Sequence, residues 1–342
     1  MELKVLEWNL NLRSNSNYEN PDSNGYKIPI FVGDAIKNQD ADIVILTEFV
    51  FCNKASTFLK KTFTDNDYDY YPKRSMYRKK TQVNEDEKEP RVNEILIDER
   101  NKQAAASADE KEPRVNEILI AWKKDRIKKD RIKLWKNSEN EIYRQDCSKS
   151  EDVPNLLIIP LSVERLKLWV AGVRITMTSK KQPPKDKTKR TDFYIQQAEL
   201  RYNEMKMVYY HLDKKTGDKS RVLIAGDFNN YRRGTPRKEW NFNRITCNRG
   251  DYTPYTPNGD SWDGEYIKED NTKKTNNEDN KKTIPPAPED HFITKNCFME
   301  NCKYERGFTD TDKTKKIYQG DSLFGIEPPN PDHAMLIGTL KF

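Results

Sequence analysis

At 342 residues, 35% of them hydrophobic and 34% charged, the chain could form one large domain or two ordinary ones, with a real core coexisting with long solvated loops. Its net charge of +6 permits a polyanionic partner without demanding one. No stretch approaches the length of a membrane span, and the opening MELKVLEWNLNL alternates apolar and polar residues where a signal peptide would follow a cationic start with an apolar run. A cytoplasmic, reduced protein is expected, or a mature form whose leader has been removed. The five cysteines (Cys52, Cys147, Cys247, Cys297, Cys302) have no CxxC pairs and no histidines at zinc spacing. They read as idle thiols, although Cys297 and Cys302 could bridge in an exported chain.

Leu3 to Asn9 reads as a first strand with Leu3, Val5 and Glu7 on one face, and it delivers Asn9 and then Asn11. Ile28 to Asn38 has helical spacing. Ala41 to Leu46 is a second buried strand ending in Thr47 and Glu48. Lys54 to Phe63 predicts a short helix, and Tyr68 to Tyr71 a strand. DEKEPRVNEILI at Asp86 to Ile97 then recurs unchanged at Asp109 to Ile120, and KKDRI at Lys123 to Ile127 recurs at Lys128 to Ile132. Such units are too short for a solenoid. Only one NEILI need be a core strand, and the second runs on into Ala121 and Trp122, so the strand is assigned to Glu117 to Trp122. A surface insertion then covers 78–115.

Asn155 to Val163 and Leu166 to Ile175 predict a hairpin. Asp192 to Leu212 is the clearest helix, with Ile195, Ala198, Tyr202, Met205 and Tyr209 along one face. The next segment, RVLIAGDFNN at Arg221 to Asn230, is the most informative in the chain. Val222 to Ala225 read as a strand buried on both faces, and Asp227 and Asn229 follow two residues apart, so both are presented at the strand's mouth. Asp227 could orient or deprotonate a water or hold a hard cation, and Asn229 could donate to a phosphate oxygen; a plain turn would use the same residues. A mobile loop is expected at 263–288, and two short strands, His291 to Thr294 and Ala334 to Leu340, close the chain.

Asn9, Glu48, Asp227 with Asn229, Asp290, and Asp332 with His333 all sit at strand ends. Hard oxygen ligands gathered at a sheet edge suit Mg²⁺, Mn²⁺ or Ca²⁺ better than zinc. In order, WNLN (Trp8 to Asn11), ILTEF (Ile45 to Phe49), GDFN (Gly226 to Asn229), EDHFIT (Glu289 to Thr294) and PDHAMLIG (Pro331 to Gly338) resemble the motifs of the endonuclease/exonuclease/phosphatase superfamily, with its deoxyribonuclease I-like fold. The resemblance covers nearly the whole chain as one domain. It implies an α+β, four-layer αββα sandwich of two mixed β-sheets with helices outside, and a Mg²⁺- or Mn²⁺-dependent phosphodiesterase site at one edge. It further implies Glu48, Asn9 and Asp332 as metal ligands, Asp227 as the residue positioning the attacking water and Asn229 as the phosphate-oxygen donor. His333 would be the general base or phosphate contact, oriented by Asp290.

One position departs from the pattern. Arg174, in GVRI, stands where many superfamily members have a histidine, and a guanidinium can clamp a phosphate but cannot donate a proton to a leaving oxygen. Two basic stretches follow strands that end at the expected site. Thr176 to Arg190 carries six positive side chains from Lys180 onward against one Asp, and Asn230 to Arg249 mixes Arg232 and Arg233 with Tyr231 and Trp240. Lys180, Lys181, Arg232, Arg233 and Asn11 are therefore expected to contact substrate, with nucleic acid the expected class. The rival enzyme reading is a phosphatase or phosphodiesterase acting on a phosphoinositide, sphingolipid or nucleotide. The rival from another class is a non-catalytic nucleic-acid-binding protein. His211 and His291 are expected to be structural.

Overall fold

The computed structural model describes residues 1–10, 27–49, 54–72, 117–129, 142–143, 155–175, 187–229, 249–258, 265–266, 283–284, 289–305 and 333–342. In chain order these form β1 (Glu2–Asn9), α1 (Lys27–Gln39), β2 (Ile43–Phe49), α2 (Lys54–Asp65), β3 (Tyr68–Tyr71), β4 (Glu117–Lys123), β5 (Ile127–Lys129), β6 (Ile142–Tyr143), β7 (Asn155–Val163), β8 (Leu166–Arg174) and α3 (Lys187–Lys215). There follow β9 (Arg221–Asp227), β10 (Thr253–Tyr255), β11 (Glu265–Tyr266), β12 (Thr283–Ile284), β13 (Asp290–Lys295), β14 (Phe298–Glu305) and β15 (Met335–Lys341).

Two mixed sheets result. One runs β14-β15-β1-β2-β4-β3, and the other β10-β13-β9-β8-β7-β5 with β6 also on β7. Each sheet has one parallel pair, β1 with β2 and β8 with β9. The remaining pairs are antiparallel.

Strand alternation sorts the side chains into three apolar layers. On β1 and β2, Leu3, Val5, Ile43 and Ile45 pack between the sheets with Leu168, Val170, Leu223 and Ala225. Their neighbours Leu6, Trp8, Val44 and Leu46 pack on the opposite side with Val32, Ile36, Leu59 and Phe63 of α1 and α2. Ala171, Val173, Val222 and Ile224 face the other way, against Met205, Val208, Tyr209 and Leu212 of α3. Helices therefore cover both outer faces, giving the four-layer αββα sandwich. Each fully buried aliphatic side chain contributes about 1.5–3 kcal/mol. The sheets pack tightly at Gly172, where a Cβ would lie 2.4 Å from Ile118 Cγ2.

Most predicted elements appear within a residue or two of their expected ends. β4 is built from the second NEILI copy; the first copy, with all of 78–115, lies outside the described residues, as does most of 263–288, where β11 pairs with β12. Two expectations need correction. α3 begins at Lys187, five residues before the expected Asp192, because an all-polar first turn gives no periodic signal. Three strands close the chain rather than two. The additional one, β14, is a sheet-edge strand in which only Met299 is fully buried, so it lacks the apolar run that marks a core strand. Among the described residues no helix is long and apolar enough to cross a membrane. Cys297 and Cys302 are free thiols, both pushed up to about 11 by burial.

Candidate active site

Topology gathers the site at one end of the sandwich. The parallel pairs bring the C-terminal ends of β1, β2, β8 and β9 together, and the antiparallel β13 and β15 bring their N-terminal ends to the same edge. Thus Arg174 and Asp290 each lie across from Asp227 in register. The residues that face the opposite sheet there continue the alternation of the apolar layer: Leu3, Val5, then Glu7 and Asn9 on β1; Leu223, Ala225, then Asp227 on β9.

Glu48 reaches the site by a different device. Strict alternation would send it outward with Val44 and Leu46, but the pairing of β2 with β4 shifts register between Leu46 and Phe49, and Glu48 has φ 50°. That bulge puts Phe49 into the helix-facing layer and turns Glu48 towards Asn9 and Arg174. Left-handed backbone at a non-glycine residue costs energy and is concentrated at functional sites.

Asn229, with φ 44°, curls the chain after β9 so that its backbone N–H donates to Asp227 Oδ1 (2.8 Å) and its Nδ2 donates to Asp227 Oδ2 (2.7 Å) and to the Ile175 carbonyl (2.9 Å). Asn tolerates this conformation. Asn9 Nδ2 also donates to Asp227 Oδ2 (3.0 Å) and reaches Glu48 Oε1 at 3.5 Å. The turn is made possible by Gly226, where a Cβ would sit 1.8 Å from the Val173 carbonyl oxygen. Arg174 Nε donates to Glu48 Oε1 (2.6 Å), with Nη2 in ion-pair contact with the same oxygen (2.5 Å) and Nε 3.9 Å from Asp227 Oδ2. His333 Nδ1 lies 2.7 Å from Asp290 Oδ2, and Trp8 Nε1 donates to the His333 carbonyl (2.8 Å), tying β15's entry to β1.

Asn9, Glu48, Arg174, Asp227, Asn229, Asp290 and His333 are therefore brought together, all largely buried. Asn11, Lys180, Lys181, Arg232, Arg233 and Asp332 lie outside the described residues. His291 faces away from the site, edge-on to Phe228, with Nδ1 2.9 Å from Thr256 Oγ1. His211, on α3, is pushed down to about 4 by burial and then by Lys214 and Lys215, so it is neutral at physiological pH.

Two carboxylates at the site were assigned no role from sequence. Glu7 accepts from Thr47 Oγ1 (3.2 Å), and burial, followed by Asp290 and Asp227, raises its pKa well above the ordinary range. Glu289 is pushed up to about 8 by burial, then by Asp227 and Asp290, against His333 and Arg201. The signal for Glu7 was its parity with Leu3 and Val5, and for Glu289 its adjacency to Asp290. Asp227 itself rises to about 7, mainly through burial, with Asp290 and Glu48 adding and His333 and Arg174 opposing.

This crowding bears on a metal. Among the described residues no group of three or more His, Cys, Asp or Glu is disposed to hold an ion. Glu48 and Asn9 nevertheless offer hard oxygen donors on adjacent strands, and five buried carboxylates (Glu7, Glu48, Asp227, Glu289, Asp290) crowd one edge beside Arg174 and His333. Mg²⁺ needs only one or two carboxylates and keeps several waters, so the donor set fits such a cation.

A buried acidic edge on an αββα sandwich, with a His–Asp pair and an Asp–Asn turn, defines a class of fold and site. Comparison with solved structures places the fold. An endonuclease/exonuclease/phosphatase family protein from Bacteroides thetaiotaomicron aligns with TM-score 0.55 at 13% identity, over 99% of this chain and 98% of its own. TDP2 of D. rerio complexed with a single-strand DNA product aligns with TM-score 0.53 at 12% identity, over 100% and 99%. The human Nocturnin catalytic domain with a bound sulfate anion aligns with TM-score 0.54 at 11% identity, over 100% and 93%. The chain has the fold of the endonuclease/exonuclease/phosphatase superfamily. By sequence, no protein-family model and no curated protein matches it.

Proposed function

We propose that the protein is a divalent-metal-dependent hydrolase of phosphodiester bonds that acts on nucleic acid. The observation that carries this reading is the convergence, from six separate segments, of Asn9, Glu48, Arg174, Asp227, Asn229, Asp290 and His333 on one edge of the sandwich. A likeness to a TDP2 structure holding a single-strand DNA product supports the substrate class.

Glu48 and Asn9, with Asp332, would hold Mg²⁺ or Mn²⁺, which when bound neutralises phosphate charge and acidifies water. Asp227, buried and raised to about 7, is poised to accept a proton near neutral pH from a water attacking phosphorus. Asn229 and Asn9 fix its orientation. In this arrangement both protons of the Asn229 amide are engaged by the protein, so Asn229 acts through Asp227, and a phosphate contact requires release of one bond. Asp290 on Nδ1 sets the His333 tautomer, so that a proton or a phosphate oxygen would be met through Nε2. Arg174 contributes positive charge against the developing negative charge on phosphate and no proton.

The test is hydrolysis of plasmid DNA, single-stranded DNA, RNA, a phosphoinositide and a generic phosphodiester, each with Mg²⁺ or Mn²⁺ and with chelator, by wild type, Asp227→Ala and His333→Ala. Metal-dependent nucleic-acid cleavage that both variants lose is the expected result. Turnover confined to the lipid or the small ester would move the protein to the phosphatase branch. Tight nucleic-acid binding with no turnover would make it a binding protein.

A further inference from the structure

Arg174 is engaged more closely than a phosphate contact requires. A guanidinium usually meets a carboxylate fork to fork, one nitrogen per oxygen. Here Nε donates to Glu48 Oε1 at 2.6 Å, and Nη2 lies 2.5 Å from the same oxygen. The side chain is only 16% exposed and also lies 3.9 Å from Asp227 Oδ2. A permanent cation so placed occupies one oxygen of the carboxylate best positioned to bind a metal and repels any divalent ion that approaches it.

Resting on the metal-hydrolase reading above, we propose that Arg174 competes with the divalent cation for Glu48 and exchanges that carboxylate for a phosphate oxygen when the cation binds. Metal and phosphate binding are then coupled through one side chain, which makes Arg174 a positioning residue for Glu48 and a direct contact for the substrate phosphate. The coupling is reciprocal: phosphate draws Arg174 off Glu48 and strengthens the metal, and the metal frees Arg174 and strengthens phosphate. A neutral side chain at this position would bind the metal tighter at rest and lose the coupling.

The experiment follows Mn²⁺ binding to the full chain by electron paramagnetic resonance, with and without inorganic phosphate, in wild type, R174Q, R174K and E48Q, each first checked for a cooperative melt. Without phosphate, R174Q is expected to bind Mn²⁺ about tenfold tighter than wild type, and phosphate to tighten wild type about tenfold while hardly affecting R174Q. R174K, which keeps the charge, should stay near wild type in the absence of phosphate. Binding by R174Q no tighter than wild type, or phosphate tightening both equally, would overturn the exchange while leaving the metal site standing. Mn²⁺ binding indifferent to E48Q, or absent from every form, would remove the metal reading itself and this inference with it.

Discussion

The middle and the open end of the layer between the sheets are built by the same strands in the same alternation, and they differ only in what the inward positions carry. On β9, Leu223 and Ala225 fill the middle, and Asp227, the next inward residue, opens the end. On β1, Leu3 and Val5 give way to Glu7 and Asn9. Burial is equal across the change: Leu223 is 0% and Asp227 1% exposed. The site is thus a set of core positions in which packing has been exchanged for buried charge, and the two halves of the layer should respond to substitution in opposite ways.

The largest contrast is expected on β9. Asp227→Asn keeps the shape and should lower phosphodiester hydrolysis by about 10³-fold, the scale on which a positioned base contributes, while the melting temperature above neutral pH changes little, because removal of a buried charge offsets the new amide nitrogen facing the Asn9 and Asn229 donors. Leu223→Ala, on the same face of the same strand, should destabilise by about 2–5 kcal/mol in a denaturant titration, with turnover per folded molecule little changed. A loss of stability in Asp227→Asn comparable to that in Leu223→Ala would mean that the open end is ordinary core. A smaller effect is expected at Gly172, where the sheets touch. Gly172→Val should cost about 1–3 kcal/mol through overpacking against Ile118 and Ile45, again without a specific loss of activity.

Much of this contrast was readable in the chain. The runs VLIA before GDFN and IVIL before TEF gave the buried strands, and the strand-end positions of Asn9, Glu48, Asp227, Asp290 and His333, with the motif order they share with a known superfamily, pointed to one sheet edge. Strand parity alone would turn Glu48 outward, because the bulge that reverses its direction is set by backbone pairing with β4 and leaves no trace in hydrophobic spacing. The engagement of Arg174 by Glu48 was hidden for a related reason. The two residues are 126 positions apart and meet only because the sheets stack. β14, an edge strand, has too few inward apolar residues to announce itself, and Glu7 and Glu289 gained their importance from a burial that sequence expresses only as company kept.

The smallest expected effect is the dependence of stability on pH, and its sign separates the two ends most cleanly. In the chelated protein, Asp227 is raised to about 7 and Glu289 to about 8, so between the ordinary carboxylate range and those values the folded state binds protons that the unfolded state has released. Stability must therefore fall as pH rises through that window and level off above it, contrary to a carboxylate held ionised by a partner. Melting temperatures taken from about pH 5 to about pH 8 should decline in the wild type, and decline less in Glu289→Gln and in Asp227→Asn. Mn²⁺ should flatten the curve by favouring the ionised carboxylates, whereas Leu223→Ala should shift it down with its slope intact. A wild-type curve that rises across this range would show that the acidic edge is neutralised within the folded chain, and that no added cation is required to hold it together.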